Sequence, residues 1–201
     1  MSELKTLTEL AWIYEVEKAI PFLNYPPLYD EIFTPIRQKS LRILEIGVQR
    51  GKSLKMWYDY FPNAIIFGYD IARWSKMTRL NRDRVFAFSG DQSKREDLNK
   101  FIQMYGGDFD IIIDDGSHYS EHQFVTLGCL FYYLKSNGMY FVEDLQAPDS
   151  QLFRNTMREW AGERDWNTNF LFPHEKQNLI EHKSNIRFID DGDKLLLIEK
   201  R

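Results

Sequence analysis

The 201-residue chain carries a formal net charge of −4, with 43% apolar and 28% charged residues. That balance predicts one soluble globular domain with a buried core, and its acidity offers nucleic acid no bulk attraction. A lone cysteine, Cys129, excludes an intrachain disulfide framework, and no apolar run reaches the roughly 20 residues of a membrane helix.

Apolar residues at 4, 7, 10, 13, 16 and 20 predict a helix over Leu4–Ile20, with Thr6 and Glu9 spaced as a capping box and Pro21 as its stop. Tyr25-Pro-Pro-Leu reads as a rigid connection into a short helix over about 28–38. Residues 1–39 are thus a helical cover, either shielding a sheet or shaping the mouth of a site. Leu41–Ile46 reads as the first strand, turning through Gly47-Val-Gln-Arg-Gly51 into a helix that ends near Tyr60. Ala64–Asp70 is the second strand and ends in an acid. Val85–Ser89 is the third, followed by Gly90-Asp91-Gln92 and a helix over about 94–105 that Gly106-Gly107 ends.

Phe109–Asp114 is the fourth strand. A helix over about 120–134 follows, then a turn at Ser136-Asn137-Gly138 and a fifth strand over Met139–Val142. Ser150–Ala161 reads as helix. Gly162–Asn185 shows little pattern beyond a helical hint at Glu175–Glu181, and its role as a lid stays open. Two short strands, Ile186–Ile189 and Lys194–Glu199, flank Asp190-Asp191-Gly192-Asp193, the signature of a hairpin. Alternation over five strands predicts an α/β domain with a mainly parallel sheet covered on both faces, and the closing hairpin adds an antiparallel strand.

The chemistry gathers in FDIIIDDGSH, Phe109–His118, where three isoleucines favouring burial run into Asp114, Asp115 and His118. Ligands of open α/β sheets bind at the carboxyl ends of strands. Tyr140–Gln146, YFVEDLQ, repeats the plan with Glu143 and Asp144. Asp115, Glu143 and Asp144 are oxygen donors for a hard divalent cation, magnesium or manganese before zinc. His118 is a candidate general base for a hydroxyl that such a cation acidifies. The alternative has Asp114 or Asp115 capping the next helix and His118 in solvent, but Glu-Asp recurring at the next strand tip speaks against capping. His122 is a supporting candidate.

The loop Glu45–Ser53 narrows the second ligand. Only three residues separate Gly47 from Gly51-Lys-Ser, one short of a P-loop, and the middle glycine of a dinucleotide turn is missing. A nucleoside-like ligand without a diphosphate fits, and Glu45 suits a cationic one. Asp70 is placed for a ribose diol and Asp91-Gln92 for an adenine amino group, with Asp114 grouped among the cofactor residues. The glycines alone would equally serve a tight turn.

With these pieces in hand the chain resembles the class I S-adenosylmethionine-dependent methyltransferases. More narrowly, it is similar to the magnesium-dependent macrolide-sugar O-methyltransferases of the mycinamicin type and to cephalosporin hydroxylase-like proteins. The matching segments are LEIGVQRGKSLKMW at Leu44–Trp57, FGYDI at Phe67–Ile71, GDQS at Gly90–Ser93, FDIIIDDGSH and VEDLQ.

The resemblance implies a Rossmann-like fold of seven strands in the order 3-2-1-4-5-7-6, with strand 7 antiparallel. It implies S-adenosyl-L-methionine held by Glu45, Gly47 and Gly51 at the methionine side, Asp70 at the ribose, and Asp91 and Gln92 near the adenine. It implies Mg2+ or Mn2+ on Asp115, Glu143 and Asp144, with His118 as base. The expected acceptor is a small hydroxylated molecule, a sugar or similar polyol, with Trp74, Trp160, Trp166 or Phe170 available to stack on it. A catechol-like acceptor, a non-catalytic cofactor-binding module and a metal-dependent hydroxylase are the alternatives. No nucleic-acid or membrane partner is expected, a cytoplasmic setting is, and a homo-oligomer stays open. Two departures limit the carry-over: the family's further N-terminal domain has no match in these residues, and Ala147-Pro-Asp-Ser replaces an aromatic-rich continuation after VEDLQ.

Overall fold

The computed structural model describes residues 4–19, 23–72, 83–162, 170–190 and 192–201. Its strands are β1 (Arg42–Ile46), β2 (Ile65–Asp70), β3 (Val85–Ser89), β4 (Phe109–Asp114), β5 (Leu134–Val142), β6 (Ile186–Phe188) and β7 (Leu196–Glu199). They form one sheet in the order β3-β2-β1-β4-β5-β7-β6. Neighbours among β1 to β5 run parallel, while β7 is antiparallel to both β5 and β6. This is the Rossmann-like class I methyltransferase arrangement that the resemblance implied.

Alternation along each strand divides the core in two. Ile43, Ile111, Ile113 and Phe141 face one layer, where α1 (Leu7–Ile13), α2 (Tyr25–Phe33) and α3 (Lys52–Tyr60) pack. Leu44, Ile112, Tyr140 and Val142 face the other, against α4 (Arg95–Tyr105), α5 (Ser120–Phe131), α6 (Gln151–Ala161) and α7 (Pro173–Ile180). A period of two on a sheet covered on both sides accounts for the unbroken isoleucine run in β4.

Register then sets the site. Ile46 pairs with Asp114, and Asp114 with Val142. The next residues, Gly47, Asp115 and Glu143, therefore leave the sheet side by side. Ile46 also pairs with Tyr69, which brings Asp70 to the same edge.

Several boundaries differ from the pattern-based expectations. The capping box of Thr6 and Glu9 is formed, but α1 stops at Ile13; Glu15 adopts φ 52° and the chain re-enters a single 3-10 turn over Glu17–Ala19. The expected connection at Tyr25 is already the first turn of α2, where prolines are tolerated because those N–H groups have no partner inside the helix. The expected turn at Ser136-Asn137-Gly138 lies inside β5 as an irregularity: Asn137 has φ 63° and the register shifts between Phe109 and Ile111. Trp160, a candidate acceptor ring, lies on the buried face of α6 in the core, and Phe170 stacks on Phe124 at 5.7 Å. Trp74 and Trp166 lie outside the described residues. Cys129 is half-buried, and burial next to Glu175 pushes its thiol up to about 12, as suits an inert cysteine.

Candidate functional site

Two cavities open at the strand tips, of about 330 Å3 and about 260 Å3, and they share Gly47, Gln49 and Asp115 as a common wall. Gly47 is required there. Its φ is +86°, and a Cβ would lie 1.9 Å from the carbonyl oxygen of Asp115. Only glycine lets the β1 loop touch the β4 loop. Gly51, at φ 72°, starts α3.

The smaller cavity is bounded by Asp70, Asp91, Gln92, Gly116, Ser117 and the exposed Ile71, among others. Asp70 is nearly buried; its carboxylate accepts from the backbone N–H of Gln49 at 2.6 Å and of Ala72 at 2.7 Å. Asp91 accepts from the hydroxyl and the N–H of Ser93, at 2.7 and 3.0 Å, and these bonds hold its carboxyl below the usual range. Gln92 is buried and spends all its polar atoms on the frame. Its amide donates to Asp114 and Thr126 at 3.1 Å each, and its oxygen accepts from Ser117 N–H at 2.7 Å. Asp114 lines neither cavity. Burial pushes its carboxyl up to about 7, against the pull of bonds from Gln92 and Gly116. Ser117 Oγ lies 2.7 Å from His122 Nδ1, so His122 borders this cavity rather than the acidic one.

Charge dominates the larger cavity. Asp115, Glu143 and Asp144 line it with His118. Asp144 and His118 both take left-handed backbone, φ 57° and 59°. His118 Nε2 lies 3.7 Å from Asp144 Oδ2, while Nδ1 is buried with no hydrogen-bond partner among the described residues. Asp115, His118 and Asp144 each present one ligand atom, all within 4.8 Å of one another. Glu143 is differently engaged: Lys18 donates to it at 2.7 Å and the Tyr29 hydroxyl at 2.7 Å. Lys18 also touches Asp115 and lies 3.3 Å from Glu45. Glu45, fully buried, accepts from the Ser53 hydroxyl at 2.6 Å and lines neither cavity. The Tyr25 hydroxyl donates to Asp144 at 2.9 Å.

Burial alone would favour a neutral amine at Lys18, yet Asp115, Glu143 and Glu45 together outweigh it and hold the ammonium well above the ordinary lysine range. Burial pushes Asp115 and Glu143 up, and Lys18 opposes that rise. The cover is therefore part of the site. Lys18, Tyr25 and Tyr29 carried no local signal: a lysine is ordinarily solvated, and Tyr25 falls in the expected connection, outside the helix expected over about 28–38.

No protein-family model matches the chain. Mycinamicin VI 2''-O-methyltransferase of Micromonospora griseorubida is 37% identical over 147 residues, 69% of this chain and 36% of that protein. An 8-demethyl-8-(2-methoxy-alpha-L-rhamnosyl)-tetracenomycin-C 3'-O-methyltransferase of Streptomyces olivaceus is 37% identical over 60% of this chain and 32% of its own length. Among solved structures, MycE methyltransferase from the mycinamycin pathway, in complex with Mg, SAH and mycinamycin VI, superposes with a TM-score of 0.77 at 26% identity. That match covers 100% of this chain and 56% of MycE. The chain belongs to the class I S-adenosylmethionine-dependent methyltransferases, close to the macrolide-sugar O-methyltransferases. It spans about a third of the length of the curated relatives it matches. In class I methyltransferase terms, the shared wall at Gly47 and Asp115 lies at the topological switch point between β1 and β4, where strand order reverses and ligands of such sheets bind.

Proposed function

We propose that this chain transfers a methyl group from S-adenosylmethionine to a hydroxyl of a sugar-bearing or similarly polyhydroxylated natural product. The carrying observation is the shared wall: a nucleoside-sized cavity with Asp70 and Asp91 abuts, through Gly47 and Asp115, a cavity of carboxylates and an imidazole. The relatives' names support the same class: one is a 2''-O-methyltransferase of mycinamicin VI and the other a 3'-O-methyltransferase of a rhamnosyl tetracenomycin C. The donor S-adenosylmethionine supplies an electrophilic methyl group. Asp70 retains free lone pairs beside its two backbone bonds and accepts from the ribose diol; Asp91 and the Gln92 frame border the adenine.

Asp115 and Asp144 suit a hard divalent cation, because their carboxylate oxygens converge beside the His118 imidazole with no thiolate in the group. One histidine with two carboxylates also inverts the two-histidine, one-carboxylate triad of non-haem iron oxygenases, which disfavours hydroxylation. When bound, magnesium or manganese acidifies a coordinated hydroxyl. Asp115 and Asp144 would hold the cation, and Glu143, bonded to Lys18 in this structure, would supply a third carboxylate if that bond opened. His118 takes the acceptor proton at Nε2, the nitrogen on the Asp144 side. Alignment of the acceptor oxygen with the methyl group supplies the remaining advantage. A second reading makes His118 a metal ligand, favoured by its ligand atom lying within 4.8 Å of those of Asp115 and Asp144. We place the reaction in the cytoplasm, in keeping with a single, unpaired cysteine.

The test is incubation with S-adenosylmethionine, magnesium and a panel of glycosylated macrolides and aromatic polyketides, following S-adenosylhomocysteine and the gain of one methyl group by mass spectrometry. Turnover with magnesium and none in EDTA is expected. Undiminished turnover in EDTA would remove the metal from the reading. In His118→Ala, a rate loss of about 10²–10⁴-fold with metal affinity intact supports the base, whereas lost metal affinity supports the ligand.

A further inference from the structure

We propose that Lys18 is a tethered cation that competes with a divalent metal ion for the carboxylates at the strand tips. The proposal rests on the reading above that a divalent cation binds in this cavity.

Lys18 sits on the single turn Glu17–Ala19 between α1 and α2, with 4% of its side chain exposed. Its ammonium reaches a carboxylate from each of three adjacent strand ends: Glu45 on β1 at 3.3 Å, Asp115 after β4 in direct contact, and Glu143 after β5 at 2.7 Å. It thus fills the place between Asp115 and Glu143. Asp115 is the contested member, because it also supplies a ligand atom to the Asp115, His118 and Asp144 group.

Two cations cannot share Asp115 without repelling each other across a few ångströms of poorly screened space. Either the ammonium withdraws or the metal binds against its field. Both routes weaken metal binding while Lys18 is charged and in place. Withdrawal frees Glu143 and gives the metal three carboxylates, so the cavity has two charge-balanced arrangements, lysine in or metal in. Lys18 belongs to the N-terminal cover, so the exchange also releases one of the ties between that cover and the sheet. Tyr25 and Tyr29 remain as neutral ties to Asp144 and Glu143.

The experiment is calorimetric titration of Mn2+ into the full chain, without cofactor or acceptor, for wild type, Lys18→Met, Lys18→Gln and Tyr29→Phe. The two neutral substitutions are expected to tighten Mn2+ binding by about tenfold or more, as removal of a nearby like charge requires. Tyr29→Phe breaks a bond to Glu143 without changing charge and is expected to stay within about threefold of wild type. Equal or weaker binding in both Lys18 variants overturns the proposal, as does a gain in Tyr29→Phe matching theirs, since loosening rather than charge would then explain it. Melting temperature in EDTA and in Mn2+ guards against misfolding: Mn2+ is expected to restore stability that the Lys18 variants lose. Variants that fold in neither condition overturn it, because the metal then cannot stand in for the ammonium. If wild type and variants all fail to bind Mn2+, the metal half of the proposed function falls as well; if wild type binds normally and the Lys18 variants gain nothing, only the competition falls.

Discussion

In the cavity beside Asp70, Asp70 itself accepts only from neutral donors, the backbone N–H groups of Gln49 and Ala72, and Asp91 accepts from Ser93 with the exposed Lys94 ammonium 3.3 Å away. In the cavity beside Asp144 the acids are balanced by an ion, Lys18, which three carboxylates surround. Local hydrogen bonds can be removed one at a time. A buried charge cannot, since each carboxylate stripped of its counter-ion costs the full desolvation of a charge. The first cavity should therefore fail gradually under mutation and the second abruptly.

Lys18→Met breaks the comparison hardest. Without metal it leaves Glu45, Asp115 and Glu143 facing one another, at an expected loss of about 3–5 kcal/mol, to be read from urea unfolding in EDTA. A loss below about 1 kcal/mol would mean that the pair behaves like a surface salt bridge.

Asp114 sharpens it through pH. Its folded-state pKa, about 7, lies above the ordinary 3.8, so the native state keeps a proton that the unfolded chain gives up. Its contribution to stability is complete below pH 4 and falls as pH rises to about 7, by at most about 4 kcal/mol for a separation of that size. Urea midpoints of wild type and Asp114→Asn across that window check the sign: the wild type should lose stability relative to the variant as pH rises.

Gly47→Ala attacks the wall common to both cavities. A non-glycine residue at φ +86° costs about 1–3 kcal/mol, and the clash with the Asp115 carbonyl adds to it, so a loss of about 3 kcal/mol or more is expected on unfolding. Asp70→Ala acts on one cavity alone, weakening S-adenosylmethionine binding by about 1–3 kcal/mol with stability less affected; unchanged affinity in a calorimetric titration would remove the ribose assignment. Tyr25→Phe, which loses one bond to Asp144, is the mildest, at about 1 kcal/mol.

What the sequence disclosed follows the same division. The strand tips were legible because apolar runs end in acids and glycines at β1, β2 and β4, and parallel register carries those ends to one edge. The cavity beside Asp70 is assembled from such ends, so its members could be named in advance. The charged cavity is closed by Lys18, 97 residues from Asp115 and 125 from Glu143. Nothing local marks a lysine near the end of an amphipathic stretch as buried; the ordinary reading is a solvated side chain. Reading Pro26-Pro27 as a connection rather than a first turn hid the placement of Tyr25 and Tyr29 on α2. At Glu15 the left-handed backbone ended a helix whose periodicity continued, and that break is what turns Lys18 inward onto the acids.

The most direct test of this division is calorimetric titration of S-adenosylmethionine into the wild-type chain, once in EDTA and once in saturating magnesium. The cavity beside Asp70 needs no divalent cation to be complete. Binding in both conditions, with affinities within about threefold, or ~0.65 kcal/mol, is the expected result. Binding that appears only with magnesium, or in neither condition, would contradict the account.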